Sequence, residues 1–267
     1  MDCQFLRLMQ TEVTQASKIV EIRMLPKDWE LINFIEEQGF VTFGQICTKF
    51  FNSIDSSCST RLKRLMEAGY LSRKPLVDLF RFSSQNKIRP SYFPHILNLN
   101  VSARQKIYFI NRNYSKGYGK SAQLYKTSMI LHQLILNDIR LFLEEEVVHK
   151  RLVNDPKVKI IADTIFGKNK GTVPDLTLEY NKVKVAIELE RTPKGRSRYL
   201  WRFQNFMSSN YTHVIYYYTD ETQLKTLLKM AGVRGKFAFA HYRTPNELYS
   251  NVFGLLDINS FLHKVLD

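Results

Sequence analysis

The stretch from Val173 to Gly195, VPDLTLEYNKVKVAIELERTPKG, constrains the fold of this chain more than any other. Two β-prone runs flank Asn181-Lys182, and a two-residue loop at that point closes a hairpin of fixed register. Tyr180 then faces Val183, Glu179 faces Lys184, and counting back puts Asp175 opposite Glu188. Glu190, two residues further on, shares the face of Glu188 by strand alternation. Directly opposed residues have Cβ atoms roughly 5 Å apart, so the spacing predicts three carboxylates on one small patch. Like charges at that range repel, and a stable protein needs something to hold them there.

The rest of the second half alternates helix and strand. A long helix is expected over 122–146, with Leu124, Ile130, Leu131, Leu134, Ile135, Ile139, Leu141 and Phe142 on a broad apolar face. Strands are expected at 157–165, 173–179 and 183–190, then a basic helix at 195–207. A buried strand at 212–219 and a helix at 221–230, opened by Thr219 and Asp220, follow. A strand at 236–240 and a helix at 258–265 complete an α/β layered pattern.

The first half reads differently. Residues 1–26 form an arm stopped by Pro26. A helix at 28–38 has apolar positions at Trp29, Ile32, Phe34 and Ile35, Asp28 as N-cap and Gly39 at its end. A second at 42–51 is capped by Thr42, and a third at 55–68 ends at Gly69. A strand begins at Tyr70, and 105–110 is the strand that returns. Residues 84–104 read as a long wing loop and 113–121, NYSKGYGKS, as a linker. Three short helices, the junction EAGYLSRK and a strand pair resemble a winged helix-turn-helix. That resemblance implies a third helix in the major groove of DNA, with Arg61, Lys63 and Arg64 on or near its exposed side as DNA contacts and Leu62 and Leu65 inward.

Charge narrows the partners. Lysine and arginine number 39 against 25 acidic residues, a net charge of +14, and the excess is positive in both halves. Such a chain suits a polyanion, because cations that neutralise phosphates release counterions. With 44% hydrophobic residues, a packed core is expected. The cysteines, Cys3, Cys47 and Cys58, are odd in number and lack a Cys-x-x-Cys pair, so neither a disulfide framework nor a zinc ribbon is expected. No apolar run approaches the ~20 residues of a membrane span. Asp2, Arg7 and Glu12 interrupt any signal-peptide core, and a cytoplasmic location is expected. There is no phosphate-binding Gly-x-x-x-x-Gly-Lys loop, so no nucleotide is expected.

Two readings of the carboxylate patch stand. One is a site for Mg²⁺ or Mn²⁺, which favour oxygen ligands and can activate water for phosphodiester cleavage. The other is a sheet face whose acids pair with Lys182, Lys184 and Arg191; Glu179 and Lys184 read as such a structural pair. Pro174-Asp175, then Glu188-Leu189-Glu190, then a basic helix resemble the PD-(D/E)XK nuclease fold. The lysine of that motif is replaced by Glu190, and Lys194 is a candidate to reach in instead. More narrowly, the order of elements, with LHQLILNDIR on the long helix and ELERTPKG after the hairpin, resembles the plasmid replication-relaxation proteins. It is similar also to the MOB-C class of conjugative relaxases.

That resemblance, over about residues 28–230, implies an N-terminal winged helix at 1–112, a linker at 113–121 and a restriction-endonuclease-like mixed sheet flanked by helices at 122–267. It implies a metal-dependent endonuclease or nickase that cuts at a plasmid transfer origin. Asp175, Glu188 and Glu190 are then the metal ligands, and these three with Lys194 the catalytic set. The partners implied are duplex DNA, the unpaired strand at the nick, and accessory mobilisation or replication proteins. His132 and Asp138 on the long helix are further candidates for the site. The alternative is a non-catalytic DNA-binding replication initiator or regulator with a degenerate nuclease fold. On the basic helix, Arg196, Arg198 and Arg202 are expected at phosphates and Gln204 as a polar contact. Its aromatics can stack on an unpaired base, but Trp201 and Phe203 read first as core. The dispersed histidines, His95, His132, His149, His213, His241 and His263, argue against a tyrosine–histidine relaxase mechanism, as do Tyr216, Tyr217 and Tyr218 in a buried strand.

Overall fold

The computed structural model describes residues 22–76, 106–111, 127–145, 159–162, 173–180, 182–192, 194–232 and 234–266. It is mixed α/β, with a small sheet and a seven-stranded one. Among the described residues no helix is long and apolar enough to cross a membrane. Most of the expected arm, the wing loop at 84–104 and the linker at 113–121 lie outside the described residues.

The first layer is α1 (Pro26–Gln38), β1 (Val41–Thr42), α2 (Phe43–Phe51), α3 (Asp55–Glu67), β2 (Leu71–Pro75) and β3 (Lys106–Ile110). β3 lies between β1 and β2, antiparallel to both, with Leu71 opposite Ile110 and Val41 opposite Tyr108. α1 ends where expected, at Gly39 with φ 73°, a conformation that favours glycine. It starts earlier than expected. Pro26 opens the first turn, so Asp28 is not the N-cap but sits inside it, accepting from Leu25 N at 2.6 Å. Thr42 caps α2 as expected, accepting from Gln45 N at 3.1 Å while Gln45 Oε1 accepts from Thr42 N at 2.9 Å. Leu31, Ile35, Ile46, Leu62, Leu65 and Leu71 form the core of this layer. Trp29 is left at its edge, packed edge-on against Tyr70.

α4 (Thr127–Leu143) belongs to both layers. Its Ile130, Leu131 and Leu134 pack with Phe40, Leu76 and Ile107. One turn later Ile135, Leu136, Ile139 and Leu143 join the core beneath the large sheet. Polar side chains fasten the first contact. Asn137 Nδ2 donates to Phe40 O at 2.6 Å, Gln45 Nε2 donates to Leu134 O at 3.0 Å, and Arg140 meets Glu37 at 3.1 Å.

The large sheet comprises β4 (Lys159–Ala162), β5 (Leu176–Tyr180), β6 (Val183–Glu190), β7 (His213–Tyr218), β8 (Phe237–His241), β9 (Glu247–Ser250) and β10 (Gly254–Asp257). The strands lie in chain order across it; β6, β7 and β8 are parallel and every other pairing is antiparallel. The helices are α5 (Arg196–Met207), α6 (Glu221–Ala231) and α7 (Ile258–Leu266). Strand alternation sends Ile187, Leu189, Ile215 and Tyr217 to one face, against Leu143 of α4 and Phe261 and Leu262 of α7. It sends Ala186, Val214, Tyr216 and Tyr218 to the other, against Tyr199, Phe203 and Phe206 of α5 and Leu227 of α6. The result is a sheet covered on both faces by helices. Asp220 caps α6 as expected, accepting from Thr222 N at 2.9 Å.

Candidate functional site

The hairpin register is the one the loop length dictates. Tyr180 pairs with Val183, Glu179 with Lys184 and Leu176 with Ile187, which brings Asp175, at the bend before β5, level with Glu188. Glu179 and Lys184 form the expected structural pair, at 2.6 Å.

Each of the three carboxylates meets a different basic side chain. Asp175 Oδ1 lies 3.1 Å from His132 Nε2 on α4, and its Oδ2 accepts from Leu189 N at 2.7 Å. Burial pushes this carboxyl up, but His132 and the Leu189 amide outweigh it and hold the pKa below its ordinary value. Glu188, only 4% exposed, accepts at both oxygens from Arg202 Nη2, at 2.7 and 2.8 Å. Burial and then the neighbouring Asp175 charge push Glu188 up to about 8, against the pull of Arg202. Glu190, equally enclosed, accepts from Lys194 Nζ at 2.5 Å. Burial raises its pKa and Lys194 opposes the rise.

Lys194 therefore reaches back to Glu190 at the end of β6. It does so because β6 ends at Glu190 and the chain turns at once into α5; Lys194 N donates to Tyr199 Oη at 3.2 Å, which ties the turn to the helix. His132 comes to Asp175. Asp138 does not: its carboxylate accepts from Gln45 Nε2 of α2 at 2.7 Å. Arg202 is committed to Glu188 and to Val173 O, at 3.2 Å, and is not a free phosphate ligand. Arg196, Arg198 and Gln204 are exposed on α5. Trp201 corrects the expectation of a core residue: it is 58% exposed, while Phe203 is fully buried.

The first layer needs a similar correction. Arg61 is not on the open side of α3. Its guanidinium pairs with buried Asp28, with Nε 2.6 Å from Oδ1, and also donates to Arg23 O at 3.0 Å. Lys63 and Arg64 are exposed, and Lys63 lies 3.8 Å from Glu67.

Nothing in the spacing of residues points to Tyr216 at this site. β7 lies parallel to β6 with Tyr216 level with Glu188, and the buried phenol is close enough for the Glu188 charge to help raise its pKa, after burial itself. Alternation along β7 shows which residues share its face; only the pairing of β6 with β7 shows that the face is this one.

Among the described residues no three His, Cys, Asp or Glu side chains are gathered to hold a metal ion as they stand. The donor set is nevertheless of the right kind, since carboxylate oxygens suit a hard divalent cation. An ion entering here must displace Lys194 or Arg202 from its partner. Comparison with protein-family models, curated proteins and solved structures finds no match.

Proposed function

We propose that the chain is a metal-dependent DNA endonuclease or nickase of the plasmid-relaxase kind. The observation that carries this reading is the convergence of Asp175, Glu188, Glu190 and Lys194 at one end of the β5–β6 hairpin. A mixed sheet covered by helices, with Pro174-Asp175 opening one strand and Glu188-Leu189-Glu190 closing the next, supports a PD-(D/E)XK-like domain. The three-helix layer with its antiparallel strands supports a winged helix, whose α3 carries Lys63 and Arg64 outward for the DNA backbone.

In this reading Asp175, Glu188 and Glu190 would hold Mg²⁺ or Mn²⁺, which supplies Lewis-acid stabilisation of the phosphoryl charge and a low-pKa water. The chain's own residues do the rest. The Leu189 amide and His132 fix the Asp175 carboxylate. Lys194, released from Glu190, offers an ammonium to the phosphate oxygens, and Arg196 and Arg198 draw the strand toward the site.

One observation favours a second reading, a DNA-binding initiator or regulator without catalysis. His132, Arg202 and Lys194 already pair with the three carboxylates, which is how a nuclease fold retained for binding would settle its acids. A supercoiled-plasmid nicking assay with Mg²⁺ or Mn²⁺ separates the two. The nuclease reading expects nicking by the wild type and none by Glu188→Ala. Absence of nicking together with no divalent-metal binding by calorimetry would leave the binding-only reading.

A further inference from the structure

Trp201 stands in the open on a helix whose other large aromatics are all in the core. Tyr199, Phe203 and Phe206 recur at helical spacing and pack beneath α5. Trp201, two residues from either neighbour, points the other way and is 58% exposed. On the helix surface its neighbours three residues before and after are Arg198 and Gln204, both exposed. α5 contains no acidic residue, and the chain just before it adds Lys194. The Trp201 indole thus lies open beside Arg198, and its neighbour along the helix, Arg202, holds Glu188, so a flat aromatic face and a cation stand together next to the carboxylate row.

We infer that the outer face of α5 is a stacking platform for unpaired nucleotides of single-stranded DNA. The Trp201 indole takes the face of a base, Arg198 the adjoining phosphate, and Gln204 a base edge or sugar. Stacking fits because every base has a π-face, and the positive surround fits a phosphate chain and repels a basic protein partner. The inference rests on the DNA-acting reading and deepens it: the strand at the site is unpaired next to the carboxylates. It requires neither metal nor cleavage.

The test uses the full chain in EDTA. The sequence has two tryptophans, so Trp29→Phe leaves Trp201 as the sole reporter. Ten-nucleotide oligo-dT is expected to quench its fluorescence, and a duplex of the same length to leave it nearly unchanged. By anisotropy of labelled oligo-dT, Trp201→Ala is expected to weaken binding roughly 5- to 150-fold, the range that one lost base–aromatic stack implies. Trp201→Phe, which keeps a ring, is expected to stay within a few-fold. Equal affinity for Trp201→Ala and wild type overturns the inference, as does a fluorescence change that follows protein concentration without DNA, which would mark the face as a self-association surface. Tight oligo-dT binding without nicking under Mg²⁺ overturns only the nuclease reading. Nicking with unchanged oligo-dT affinity in Trp201→Ala overturns only the platform.

Discussion

Arg202 on α5 donates from a single nitrogen to both oxygens of Glu188 on β6, at 2.7 and 2.8 Å. The acid is almost wholly enclosed and the arginine partly so, which makes this an interior pair rather than a surface one. Arg202→Ala leaves a buried acid without its cation and is expected to cost up to about 3 kcal/mol above about pH 8, where Glu188 carries its charge, read by urea denaturation. The loss should grow with pH. A carboxyl whose folded pKa is raised, here to about 8, contributes most below its unfolded value and progressively less as pH climbs toward the folded one. Arg202→Met with Glu188→Leu should cost less than Arg202→Ala alone, because neither charge is then stranded.

The Glu190–Lys194 pair invites a charge exchange. Glu190→Lys with Lys194→Glu puts lysine where the PD-(D/E)XK pattern has one and keeps the ion pair. If the site cuts DNA, the exchanged protein is expected to nick within about tenfold of wild type. Lys194→Met alone is expected to lose on the order of 100-fold, comparable to removing one charge-stabilising donor. Initial rates on supercoiled plasmid decide it.

His213 opens β7 with Nδ1 buried and without a hydrogen-bond partner among the described residues. Burial first, and the nearby Lys236 charge second, hold its imidazole below the ordinary histidine pKa. A depressed folded pKa gives stability that is present above about 6.5 and lost as pH falls, because the unfolded chain takes the proton first. Melting temperature should therefore drop between about pH 7 and 5, and His213→Gln should flatten that part of the curve. An equal slope in both proteins would sink this assignment.

Asn137 is fully buried on α4 and donates to the Phe40 carbonyl at 2.6 Å. Asn137→Ala removes that buried hydrogen bond, at a cost of about 0.5–1.5 kcal/mol. Thermal unfolding followed by circular dichroism should show a lower midpoint.

The hairpin was legible because a two-residue loop fixes the pairing sum, and the pairing from Tyr180–Val183 to Leu176–Ile187 follows it. The caps at Thr42 and Asp220 were legible because their side chains bond their own first turns. Trp201 was misread although its placement is periodic: Tyr199, Phe203 and Phe206 define one face, and position 201 lies about 200° around from 199. β1, β9 and β10 went unseen, being two, four and four residues long, too short for alternation to register. The partners of the three acids were hardest. Lys194 follows from proximity along the chain, but Arg202 and His132 reach the site only through the packing of α5 and α4 against the sheet.

α4 has a consequence for how this protein can be divided or inherited. Its early turns complete the core around Phe40, Leu76 and Ile107, and its later turns complete the one around Leu176, Leu178 and Ile187. A cut before it would strip the first layer, and a cut after it would strip the second. Exchange with another protein by recombination would have to carry the helix and both of its neighbours together, so a change in α3 is more readily made by substitution within it than by transplanting the layer that holds it.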